Sequence, residues 1–104
     1  MISTRDVIIR SNNYDAVVRF YRDALGFELI QETPMLGFDT GSFTLYVERG
    51  AKSEPVFEYE VGDVQQAKAQ LLAAGCELVE ENAAVPRCYL RDPFGLVFNL
   101  TARD

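Results

Sequence analysis

The chain has 104 residues, nearly half of them hydrophobic and 12% aromatic, which suits one ordinary domain whose core needs no staples. Sixteen acidic residues against ten basic ones leave a net charge of −6, which argues against nucleic acid and against anionic membrane surfaces as partners. There is no histidine, which removes Ser-His and Cys-His catalysis, and no run approaches the ~20 apolar residues of a membrane helix.

The first element expected is a strand over 4–10, β-branched and closed by the turn cluster Ser11-Asn12-Asn13. Asp15 is expected to cap a helix whose apolar stripe is Val17, Phe20, Tyr21, Ala24 and Leu25, with Gly26 ending it. Strands follow near 27–32, 36–40 and 43–48, separated by Pro34 and by Asp39-Thr40-Gly41-Ser42. The second half keeps the same order. Val56–Val61 alternates strictly, and Asp63 caps a helix with a stripe of Val64, Ala67, Leu71 and Ala74 and with Gln66 at a capping-box position. Gly75 closes it, and strands at 76–80, 87–91 and 96–100 end the pattern, the last two joined by Asp92-Pro93-Phe94-Gly95.

The halves are copies. Gly26-Phe27-Glu28-Leu29-Ile30-Gln31-Glu32 returns as Gly75-Cys76-Glu77-Leu78-Val79-Glu80-Glu81, 49 residues later. Two copies are too few for a solenoid, which needs about three to bury a continuous core. The expectation is a single α+β domain over 1–104, built from two tandem β-α-β-β-β modules, 1–50 and 51–104, whose sheet curls around a cleft. The alternative is a ferredoxin-like sandwich with one strand fewer per half.

Period-2 alternation assigns faces. Val7, Ile9, Leu45, Val47, Phe57, Tyr59, Val61, Phe98 and Leu100 are expected to pack toward the helices, and Phe20, Tyr21 and Phe27 to join the core. That turns Asp6, Ile8, Arg10, Thr44, Tyr46, Glu48, Val56, Glu58, Glu60, Val97, Asn99 and Thr101 to the other face, with Tyr89 a further candidate from its strand.

Phe20-Tyr21-Arg22-Asp23-Ala24-Leu25-Gly26-Phe27-Glu28-Leu29 resembles the first hallmark of the vicinal oxygen chelate superfamily, and Asp92-Pro93-Phe94-Gly95 before an apolar strand resembles its second. That superfamily includes glyoxalase I, extradiol dioxygenases, and fosfomycin- and bleomycin-resistance proteins. The resemblance spans both halves. It implies a homodimer, and it implies a divalent metal held by His and Glu on the first and last strands of each half. Those positions fall on Asp6, Tyr46, Val56 and Asn99, so the ligand pattern is missing here.

The expected function is therefore binding or sequestering of a small cationic or aromatic ligand, without a metal cofactor, as in the bleomycin-resistance branch. The candidate ligand-binding residues are Asp6, Ile8, Arg10, Tyr46, Glu48, Val56, Glu58, Tyr89 and Asn99. Two carboxylates about 7 Å apart repel by roughly 2–2.5 kcal/mol at an effective dielectric near 20, so an acidic cavity keeps a proton or favours a cation. A second reading is a lyase, isomerase or dioxygenase relative with oxygen-only Mn²⁺, Mg²⁺ or Ca²⁺ ligation by Asp6, Glu48, Glu58 and Glu60. A third is a non-catalytic dimeric module that binds another protein. Exposed edge strands favour a homodimer. Cys76 and Cys88 lack C-x-x-C spacing and the N-terminus lacks a secretion signal, so reduced thiols in the cytoplasm are expected.

Overall fold

A computed structural model describes residues 1–103. The chain divides into two compact units, one of Arg5–Pro55 and one of Met1–Thr4 with the chain from Val56 onward. No helix among the described residues is long and apolar enough to cross a membrane.

The first unit holds most of β1 (Ile2–Arg10), then α1 (Tyr14–Val18), which runs on as a π-helical stretch over Arg19–Ala24, then β2 (Glu28–Gln31), β3 (Leu36–Asp39) and β4 (Thr44–Glu48). Its sheet runs β2-β3-β4-β1. β1 and β4 are parallel, with Asp6 opposite Thr44, Ile8 opposite Tyr46 and Arg10 opposite Glu48. The other neighbours are antiparallel. Leu36, Phe38, Leu45 and Val47 form the buried core, and Val7, Ile9, Val17, Tyr21 and Phe27 pack against it. The alternation read from the sequence holds in this unit.

The second unit repeats the plan with β5 (Val56–Val61), α2 (Val64–Ala73), β6 (Glu77–Asn82), β7 (Arg87–Arg91) and β8 (Val97–Ala102). Its sheet runs β5-β8-β7-β6, parallel between β5 and β8 and antiparallel elsewhere. Val61, Ala67, Cys88, Leu90, Phe98 and Leu100 form its core, with Tyr59, Val64 and Leu71 at the margin. Phe57 was expected there too, but it lies outside this cluster and is 37% exposed, because β5 meets the core through Tyr59 and Val61.

The repeat reaches fine detail. Gly26 and Gly75 both take positive φ, +79° and +108°, the left-handed residue that ends each helix. The register then shifts between Leu29 and Gln31 in one copy and between Leu78 and Glu80 in the other, the same two places.

The helices break the symmetry. Asp63 caps α2 as expected, its carboxylate accepting from the Gln66 N–H at 3.0 Å. In α1 the cap is Asn13, accepting from the Ala16 N–H at 3.1 Å, and Asp15 sits inside the first turn. The span from cap to closing glycine is therefore one residue longer in the first copy. The extra residue is absorbed as a π-turn, marked by the five-residue bond from the Leu25 N–H to the Phe20 carbonyl at 3.0 Å. The packed face of this helix is narrower than the stripe read from the sequence and is made by Tyr14, Val17, Val18 and Tyr21. Phe20 and Leu25, expected in the core, are 53% and 49% exposed, and Ala24 is exposed with them.

Candidate functional site

In the second unit the register sets Glu58 of β5, Asn99 of β8, Tyr89 of β7 and Glu80 of β6 abreast. Since Cys88, Leu90, Phe98 and Leu100 fill the helix side, alternation turns this row to the opposite face. That face is not ordinary solvated surface. Val56, Tyr89, Val97 and Asn99 are between 4% and 6% exposed, although none belongs to the helix-side cluster.

Asn99 is the polar centre of the row. Its Oδ1 accepts from the buried Cys88 N–H at 2.8 Å, and its Nδ2 donates to Glu58 Oε2 at 3.4 Å. The first bond fixes the amide's orientation, because a backbone N–H needs an acceptor. The side of Asn99 turned toward Glu58 is therefore its NH₂, a donor. Tyr89 lies under Arg87, whose guanidinium carbon is 5.5 Å from the ring centroid. Arg87 also pairs with Glu80 at 2.8 Å, and Arg91 with Glu77 at 2.6 Å, so the two arginines of β7 clip it to the edge strand.

In the first unit the candidates form a second set. Asp6, Ile8 and Arg10 alternate along β1 beside Thr44, Tyr46 and Glu48 of β4. Arg10 Nε pairs with Glu48 Oε1 at 3.2 Å, in a part-buried setting. Burial pushes the Asp6 carboxyl above the usual carboxylate range. Tyr46 pairs with Gly37 of β3, where an added Cβ would lie 3.2 Å from the Tyr46 ring. Five of the nine candidates thus share one face of the first unit, and Val56, Glu58, Tyr89 and Asn99 that of the second. Val97, expected on this face but not among the candidates, is as buried as Val56.

The residues at the family's ligand positions do not fit a metal. Val56 has no donor atom, Asn99's oxygen holds the Cys88 N–H, and a neutral phenol such as Tyr46 is a poor ligand. Among the described residues, no group of three or more His, Cys, Asp or Glu side chains is placed to hold a metal ion. Glu48, one member of the oxygen-only set considered from the sequence, is engaged by Arg10. The cysteines are free thiols, Cys88 buried and Cys76 half-buried, and burial raises both above the ordinary thiol range, away from the nucleophilic thiolate.

Comparison with known proteins matches residues 6–101 to the glyoxalase-like domain family. No curated protein matches the sequence. Among solved structures, a glyoxalase/bleomycin resistance protein/dioxygenase superfamily member from Vibrio splendidus 12B01 is similar over 97% of this chain and 99% of its own, at 16% identity and TM-score 0.66. An extradiol ring-cleaving dioxygenase from B. fuscum is similar over 99% of this chain and 33% of its own, at 14% identity and TM-score 0.65. The Mn(II)-bound glyoxalase from Novosphingobium aromaticivorans is similar over 96% of this chain and 38% of its own, at 24% identity and TM-score 0.59. The paired β-α-β-β-β units, the shared bulges and the match over nearly the whole length lead to one conclusion: the chain belongs to the glyoxalase-like domain family, with the α+β fold of the glyoxalase/bleomycin resistance/dioxygenase superfamily.

Proposed function

We propose that this chain is a metal-independent small-molecule-binding protein of that superfamily, taking a cationic or aromatic ligand on the sheet faces that carry Asp6, Tyr46, Glu58, Tyr89 and Asn99. The observation that carries the reading is the donor chemistry at the family's ligand positions. One position has become an alkyl side chain, and another has turned its amide oxygen into a backbone partner. What stands on these faces suits recognition instead: aromatic rings, branched aliphatics and a few placed polar groups, the usual lining of a ligand site. The carboxylates Asp6, Glu48 and Glu58, in a chain of net charge −6, favour a cation over an anion. The edge strands β2 and β6 are the natural surfaces for a homodimer in the cytoplasm.

Isothermal titration calorimetry with matched pairs of aromatic amines and aromatic carboxylates tests this on the tag-free chain. The amines are expected to bind the wild type more tightly and to lose that preference in Glu58→Gln or Asp6→Asn. Carboxylates binding better on these faces would sink the reading. Turnover that depends on added Mn²⁺ or Mg²⁺ would favour the enzyme reading in its place.

A further inference from the structure

The duplication supplies an internal control, because each unit has a groove beside its helix cap. In the second unit the groove has a volume of about 260 Å³ and is lined by Val61, Asp63, Gln66, Ala67 and Gln70 among others. In the first it has about 300 Å³ and is lined by Ile9, Asn13, Ala16, Val17, Phe20 and Lys52 among others. The caps put the two in register. Asn13 and Asp63 each accept from the N–H three residues on. Ala16 therefore corresponds to Gln66, Val17 to Ala67 and Phe20 to Gln70.

The geometry is shared and the chemistry is not. Where the second copy has Asp63 and two glutamines, with no lysine or arginine in the lining, the first has an alanine, a phenylalanine and a lysine. Phe20 stands edge-on to Tyr21, ring centroids 5.1 Å apart, and leaves half its surface in water. The π-helical stretch begins beside it, and its carbonyl accepts the five-residue bond from the Leu25 N–H. Core packing does not explain Phe20, since Tyr14, Val17, Val18 and Tyr21 make the helix's contacts with the core. Of the two cations in the lining, Arg10 is neutralised by Glu48. Lys52 has no ion pair or hydrogen bond among the described residues. An apolar groove with one unpaired lysine in its lining suits an amphipathic monoanion.

We propose that this groove is a second ligand site, taking a small aromatic monocarboxylate with its ring against Phe20 and Val17 and its carboxylate at Lys52. The groove shares Arg10 with the candidate face but otherwise lies beside the helix, and its charge preference is the opposite, so the two readings are tested apart.

The test is an NMR titration of the ¹⁵N-labelled full chain with 3-phenylpropanoate and, in parallel, with neutral 3-phenylpropanamide. Saturating shifts are expected at Val17, Phe20, Tyr21 and Lys52 and not at Tyr46 or Asn99. The acid is expected to bind about two- to fivefold more tightly than the amide, the range of one solvated charge contact. Lys52→Gln should make acid and amide equal. Phe20→Gln, which copies the residue of the other repeat, should weaken both by about tenfold. Lys52→Gln decides the matter alone if Phe20→Gln does not fold, since Lys52 is an exposed residue outside the core. Equal binding of acid and amide by the wild type would overturn the proposal. So would shifts centred on the sheet faces, or a groove that does not titrate because a second copy of the chain already fills it.

Discussion

Asn99 joins three strands through one amide, with an acceptor toward Cys88 of β7 and a donor toward Glu58 of β5. An unsatisfied buried N–H costs roughly 1–3 kcal/mol, so Asn99→Ala is expected to lower unfolding stability by about that much in urea titrations. Asn99→Asp keeps an acceptor for Cys88 but sets a second carboxylate against Glu58. Its loss should therefore grow as pH rises through the carboxylate range and fade below it; a pH-independent loss would contradict the assigned amide orientation. Asp6 makes a separate linkage prediction. Its folded pKa is raised by burial, so between the unfolded and folded values the native state holds the extra proton. Its contribution to stability is accordingly greater below that window and declines as pH rises through it. Asp6→Asn should flatten this part of the stability–pH curve, which thermal unfolding followed as pH rises from the ordinary carboxylate value would read directly.

At the scale of elements, the helix ends carry the clearest test. Gly26 and Gly75 share a left-handed conformation that costs other residues roughly 1–2 kcal/mol. A Cβ at Gly26 meets open space, whereas one at Gly75 comes within 3.2 Å of Pro93 Cγ. Gly26→Ala should therefore cost about 1–2 kcal/mol, and Gly75→Ala more, in chemical denaturation. The π-turn is equally testable. Deleting exposed Asp23 should leave a folded chain whose carbon chemical shifts over the shortened helix become α-helical, matching α2; unfolding would contradict the insertion account. The strands, turns and closing glycines were readable because local chemistry determines them: strict alternation in Val56–Val61, the turn at Asp92-Pro93-Phe94-Gly95, glycine where φ is positive. The π-turn was not. The 49-residue offset was measured after the helices, while the caps lie 50 apart, and Asp15 is as good a cap by type as Asn13. Only the hydrogen bonds choose between them.

At the scale of the whole molecule, the duplication and the family were legible, and the site was legible only in part. Faces followed from alternation, so the placement of Asp6, Tyr46, Glu58 and Asn99 could be read before the structure. What each residue does there could not. Asn99's amide is oriented by a backbone N–H eleven residues away, Arg87 and Arg91 are held by glutamates of the neighbouring strand, and Asp6 is shifted by burial. These are long-range effects that no local pattern encodes. They bear on the central claim, that this member of the family binds its ligand without a metal. The most direct measurement is metal content by mass spectrometry on tag-free protein, purified without chelator and dialysed against Mn²⁺ and Mg²⁺. The account predicts far less than one equivalent per chain, with the unfolding midpoint unchanged by either ion. A metal retained at one equivalent per chain, with a raised midpoint, would contradict it.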